Sequence, residues 1–168
     1  MKRVCLDNHI LIWGIRGYST QGQEDRVCRA RDLFQELDDA DAEILVPPVV
    51  VAEFLAGVPQ PRHVELLDVL NRRFQIPPFD VRTAAVAAAL WREAAERNPH
   101  LKDLVRESFP GIEKAKVKAD MMILATALTR KADILYTHDG PLKKIAEERI
   151  EVRDLPPPKP KQADLPLE

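Results

Sequence analysis

Four acids, Asp7, Glu53, Asp120 and Asp139, stand where a carboxylate is costly unless something uses it. Asp7 ends the apolar run Val4-Cys5-Leu6, and Asp139 follows Ile134-Leu135-Tyr136 in the turn Thr137-His138-Asp139-Gly140. Asp120 shares a helix face with Ile123, Leu124, Ala127 and Leu128 at i, i+3, i+4 spacing, so it points coreward. Glu53 is the lone acid of the apolar segment VVVAEFLAG; burying an ionised carboxylate without partners costs several kcal/mol, so it is expected protonated, hydrogen-bonded or facing a cation. Singly, three of the acids have ordinary readings: Asp7 as a helix cap, Asp139 as an N-cap before Pro141, and Asp120 as a first-turn carboxylate favoured by the helix dipole. Together, converging carboxylates repel, and each pKa rises unless positive charge enters. Oxygen ligands without a Cys or His cluster favour Mg²⁺ or Mn²⁺ over Zn²⁺. Such an ion binds a phosphate oxygen, lowers the pKa of a bound water and, with a second ion ~4 Å away, steadies the leaving oxygen, which is phosphodiester chemistry.

The elements that must bring these acids together alternate along the chain. Val4–Leu6 reads as a strand, followed by a helix from His9 to Ile15 that stops by Gly17. A polar loop leads to the helix Arg26–Asp38, and Glu43–Val46 is the second strand. Pro47-Pro48 ends it and opens the Glu53 helix, which stops at Gly57, where a left-handed cap is expected. A helix within Pro59–Arg73 is carried by Val64, Leu67 and Leu70, and Phe74–Ile76 is a short third strand. Asp80 is the expected N-cap of an Ala-rich helix, Val81–Arg97. Asn98–Ala115 is an excursion holding a short amphipathic segment, Leu101–Phe109, before the Asp120 helix and the strand Ile134–Tyr136. Pro141–Glu148 is the last helix and Ile150–Val152 the last strand.

Strands that are apolar on both faces and alternate with helices predict an α/β fold, a parallel sheet of about five short strands covered on both faces. Ligands of such sheets bind beyond the carboxyl ends of the strands. If Val4–Leu6 and Ile134–Tyr136 are neighbours, Asp7 and Asp139 emerge side by side, with Glu53 and Asp120 leaning in from flanking helices.

A length of 168 residues suits one domain, over residues 1–153, with a Pro-rich tail, 154–168, expected to stay extended or disordered. The apolar fraction of 45% and charged fraction of 31% are those of a water-soluble protein, and no apolar run reaches the ~20 residues that span a bilayer. Asp7, Asn8 and His9 break the only segment resembling a signal peptide, and two cysteines make no disulfide framework, so the cytoplasm is the expected compartment. A net charge of -2 exerts no global pull on nucleic acid, so such binding must rest on local basic residues or bound cations.

The order VCLDNHILI, VVVAEFLAG, KADMMILATAL and ILYTHDGPLKKIA resembles the PIN-domain nucleases, including the VapC-type toxins of bacterial toxin-antitoxin pairs, over roughly Val4 to Val152. The resemblance implies a PIN-like three-layer α/β/α sandwich with Asp7, Glu53, Asp120 and Asp139 as a metal-binding, catalytic acidic site. Thr137 matches a hydroxyl often found two residues before the last acid, and in an extended segment it shares a face with Asp139. Metal-dependent cleavage of RNA, a homodimer and an antitoxin partner are implied as well. Family members commonly place Ser or Thr soon after the first acid and a further acid past the last; this chain has Asn8-His9 and Gly140-Pro141 there. The rival expectation is a catalytically weak scaffold of the same fold, binding RNA or a protein partner.

Lesser candidates surround the acids. Lys116, Lys118, Lys143 and Lys144 are placed to hold phosphates, although a solvated helix face is the more ordinary fate of lysine. His9 and His138 flank acids, but His138 is expected to point away from Asp139, and Trp13 and Trp91 lie on apolar helix faces and are read as core.

Overall fold

The computed structural model describes residues 1–97 and 111–158. The segment Leu101–Phe109 and the tail beyond residue 158 lie outside the described residues.

The strands β1 (Arg3–Leu6), β2 (Glu43–Leu45), β3 (Ile134–Tyr136) and β4 (Glu151–Arg153) form one parallel sheet in the order β2-β1-β3-β4. β1 lies between β2 and β3, with Val4 opposite both Ile44 and Ile134 and Leu6 opposite Tyr136. Val4, Cys5 and Leu6 are all 0% exposed, and since successive strand residues face opposite ways, both faces of the sheet are covered. The expected strand at Phe74–Ile76 shrinks to a single parallel bridge: Gln75 donates to Ile44 O and accepts from Val46 N, beyond which Pro77-Pro78 have no N–H to continue. It still marks a fifth position at the β2 edge.

The helices are α1 (Asn8–Leu11), α2 (Glu24–Asp39), α3 (Pro48–Ala56), α4 (His63–Arg73), α5 (Val81–Arg97), α6 (Gly111–Thr129) and α7 (Gly140–Ala146). The first expected helix changes character midway. After Leu11 the backbone widens into a π-turn, Ile12–Arg16, which ends on Gly17 with a left-handed φ of 63°, a conformation that suits glycine. Gly57 needs no such freedom, contrary to expectation: its φ is -87°, and a Cβ there would instead meet the Arg16 guanidinium at 2.7 Å.

On α4 the buried pair is Leu66 and Leu70, one turn apart, which leaves Val64 79% exposed and off the face the sequence suggested for it. Asp80 caps α5 as expected, its Oδ1 accepting from both the backbone N–H and the hydroxyl of Thr83 at 2.8 Å. α5 packs along α6, and Thr83 meets Thr129 of α6 at 3.2 Å. Helix α6 begins well before the acid it carries, so Asp120 sits mid-helix rather than in a first turn, and the dipole reading for it lapses. Beyond β4, Leu155 is buried, and Arg29 donates to the carbonyls of Leu155 and Pro156, which fastens the start of the tail to α2.

Candidate active site

Adjacent parallel strands end together, and the register between β1 and β3 brings Asp7 and Thr137 into contact. Asp7 N–H donates to Tyr136 O at 3.0 Å, continuing the ladder one step past Leu6. Its Oδ1 accepts from Asn8 N–H at 2.6 Å, so Asp7 does cap α1. Its Oδ2 accepts the Thr137 hydroxyl at 2.8 Å and lies 3.8 Å from His9 Nδ1. Thr137 is fully buried and also accepts from Asp139 N–H at 3.0 Å. One hydroxyl therefore joins the two strand-tip acids.

Asp139 is likewise both cap and site residue. Its Oδ1 accepts from Leu142 N–H at 3.0 Å and starts α7, while its Oδ2 lies 2.6 Å from Lys116 Nζ. Burial would raise its pKa, but the Lys116 ammonium and the Leu142 N–H outweigh burial and hold the carboxyl below its ordinary range.

Asp120, 5% exposed, comes in from α6, and its Oδ2 is buried without a hydrogen-bond partner among the described residues. Burial, and then the charges of Asp139 and Asp7, push its pKa up to about 7. Glu53 reaches the site from α3 but is exposed, since the buried face of α3 is Val50, Val51 and Phe54, so the expectation of a buried carboxylate there is corrected. Partial desolvation of its carboxyl, then the Asp7 charge, still raises the Glu53 pKa. His9 is held more basic than usual by the neighbouring Asp7 carboxylate, against the effect of burial.

All four acids line one cavity of about 540 Å³, together with Asn8, His9, Ala56, Ala115 and Lys116. The carboxylates surround this space rather than enclose a point: among the described residues, no three His, Cys, Asp or Glu side chains form a ready-made ion cage. The donor set nevertheless fits a hard divalent cation, being rich in carboxylate oxygen and including a buried Asp120 oxygen that no group among the described residues satisfies. Positive charge is supplied by Lys116, which stays solvent-exposed on its helix as expected and also pairs with Asp139. Asn8 was not anticipated: its Oδ1 is a second buried oxygen without a partner, and its place directly after Asp7 was the available signal.

The neighbouring aromatics do not enter the cavity. His138 turns aside to Asp154, with Nδ1 2.9 Å from Oδ2, and meets Trp13 edge-on at 5.4 Å. Trp13 is core, 3% exposed, while Trp91 is half-buried with Lys118 over its ring at 5.7 Å.

A parallel α/β domain with an acidic cleft at the C-terminal ends of its central strands is the class these features define. The PIN-domain family model matches residues 4–148, and the chain belongs to that family. Similar solved structures include a chain of VapBC2 from Rickettsia felis bound to a DNA fragment from their promoter, with 16% identity, a TM-score of 0.60, and coverage of 90% of this chain and 98% of that one. A chain of VapBC-1 from nontypeable Haemophilus influenzae is 14% identical with a TM-score of 0.58, covering 91% and 98%. One from DNA-bound VapBC of Salmonella typhimurium is 15% identical with a TM-score of 0.56, covering 92% and 99%. No functionally curated protein matches the sequence.

Proposed function

We propose that the protein is a Mg²⁺- or Mn²⁺-dependent endoribonuclease, acting in the cytoplasm as the toxin of a toxin-antitoxin pair. The observation that carries this reading is the meeting of Asp7, Glu53, Asp120 and Asp139, from separate segments, in one cavity where an Asp120 oxygen is buried and unpaired among the described residues. Membership of the PIN family supports nuclease chemistry, the likeness to VapBC chains supports an antitoxin partner, and a homodimer is what the family resemblance implies.

In this reading the four acids hold the metal. When bound, the ion supplies a water of lowered pKa and neutralises charge on the phosphoryl group. The protein's own contribution is preorganisation. Thr137 fixes the rotamer of Asp7 and the backbone of Asp139, and Leu142 N–H anchors the other side of Asp139. Asp120 would hold the ion as a carboxylate, and the burial that makes that lone carboxylate unfavourable would strengthen its attraction to a cation.

The second reading, a PIN-fold scaffold that binds RNA or a protein partner with little catalysis, is favoured by one observation: Lys116 already neutralises Asp139. Calorimetric titration with Mn²⁺ and an RNA-cleavage assay separate the two. The nuclease reading expects Mn²⁺ uptake and cleavage that Asp120→Asn abolishes; undiminished metal-dependent cleavage by Asp120→Asn protein would overturn it.

A further inference from the structure

Lys116 is one helical turn before Asp120 on α6, so both side chains leave the same face and reach the same cavity. Both oxygens of Asp139 are engaged, Oδ1 by the N–H of Leu142 and Oδ2 by the Lys116 ammonium at 2.6 Å. Releasing Leu142 would uncap α7, whereas releasing Lys116 costs an ion pair whose lysine side chain is 51% exposed. The Lys116 contact is therefore the one that a divalent ion at Asp139 would displace at the lower cost. Among the described residues lining the cavity, Lys116 is also the only lysine or arginine, in a chain whose net charge of -2 repels a polyanion.

We propose that Lys116 is the resident counter-cation of the cleft, held on Asp139 until a divalent ion displaces it, and that it then takes a phosphate of the substrate strand. This rests on the metal-dependent nuclease reading and adds a substrate-positioning residue to it. The exchange needs no remodelling of the backbone. The ammonium stays tethered by its four-carbon stem within reach of the same site, and the metal repels it toward the anionic substrate.

The test compares full-length wild type, Lys116→Met and Lys116→Arg, each confirmed folded by circular dichroism. Mn²⁺ affinity is measured by calorimetry without RNA, and binding of a labelled single-stranded oligoribonucleotide is measured against salt with Ca²⁺ replacing Mn²⁺. Lys116→Met is expected to bind Mn²⁺ at least about fivefold more tightly, the effect of removing one unit charge at contact range in a water-like medium. The same variant is expected to lose about 0.7 from the slope of log affinity against log salt, the signature of one lost phosphate contact on a single strand. Lys116→Arg should retain the wild-type slope. Unchanged or weaker Mn²⁺ binding by Lys116→Met overturns the proposal, and so does an unchanged salt slope. Wild-type protein that takes up no Mn²⁺ overturns the nuclease reading with it, whereas wild type that binds the ion while Lys116→Met binds it no better sinks this inference alone.

Discussion

The two ends of the sheet treat charge in opposite ways. At the N-terminal ends of the strands, Arg3 Nε lies 2.6 Å from Glu43, the Arg3 N–H donates to Asp133 at 2.7 Å, and Arg130 reaches Asp80 at 2.9 Å. A cavity of about 490 Å³ opens there too, lined by Arg3, Glu43 and Arg130 among others, but the acids at that end have basic or N–H partners. At the C-terminal ends, four acids line a cavity with one lysine among the described residues, and there an Asp120 oxygen has no partner among them. The pKa directions follow suit. Hydrogen bonds from Thr83 hold Asp80 below its ordinary value, while burial drives Asp120 up to about 7. Paired charges at one end fasten strands and helices together; carboxylates left short of partners at the other are the feature on which the metal-binding proposal rests.

The sharpest way to break this contrast is to neutralise one acid at each end. Asp120→Asn is expected to lower RNA cleavage by at least about a thousandfold, the scale of lost charge stabilisation at a reacting centre. Its effect on the metal-free fold has the opposite sign. A carboxyl whose pKa is higher folded than unfolded contributes stability that is full below its ordinary value of 3.8 and lost as pH rises through about 7. The loss is on the order of 1.4 kcal/mol for each pH unit between the two values. Asp120→Asn should flatten that dependence, leaving the metal-free variant more stable than wild type at pH 8 and less favoured at pH 4, as urea unfolding at the two pH values would show.

Thr137→Val comes next, since it removes only the hydroxyl that joins Asp7 to Asp139. A loss of roughly 10- to 100-fold in Mn²⁺ affinity is expected, as for other groups that orient metal ligands. Unchanged calorimetry would mean that Thr137 merely packs.

Saturating Mn²⁺ should also raise the wild-type melting temperature. At a hundredfold excess over the dissociation constant the gain is about 2.7 kcal/mol, which corresponds to roughly 5–10 °C for a domain of this size. Asp120→Asn should erase most of that shift. The smallest effect belongs to the opposite end: Glu43→Gln is expected to cost at most about 1 kcal/mol of stability and to leave both cleavage and the Mn²⁺ shift unaltered. A change in cleavage there would dissolve the distinction between the two ends.

Much of this arrangement is legible in the chain because it rests on local or periodic signals. Short apolar runs closed by Asp7 and Asp139 mark buried parallel strands, and Asp80 before an Ala-rich stretch marks the start of α5 to the residue. The acids are conspicuous because apolar surroundings penalise charge, a rule that needs no coordinates. What a single sequence carries poorly is how far an element extends and what stands across from it. The early start of α6, the widened turn at Ile12–Arg16 and the exposure of Glu53 depend on packing between helices.

By itself, then, the order of residue types determined a parallel α/β domain with carboxylates at the strand tips, because hydrophobic period and chain-breaking residues act over a few neighbours. Only the tertiary structure decided that the Thr137 hydroxyl ties Asp7 to Asp139, that Lys116 lies on Asp139, and that an oxygen of Asp120 is left without a partner. Those are contacts between segments more than a hundred residues apart, or between a helix and a strand tip, and no local pattern encodes the distance across such a gap.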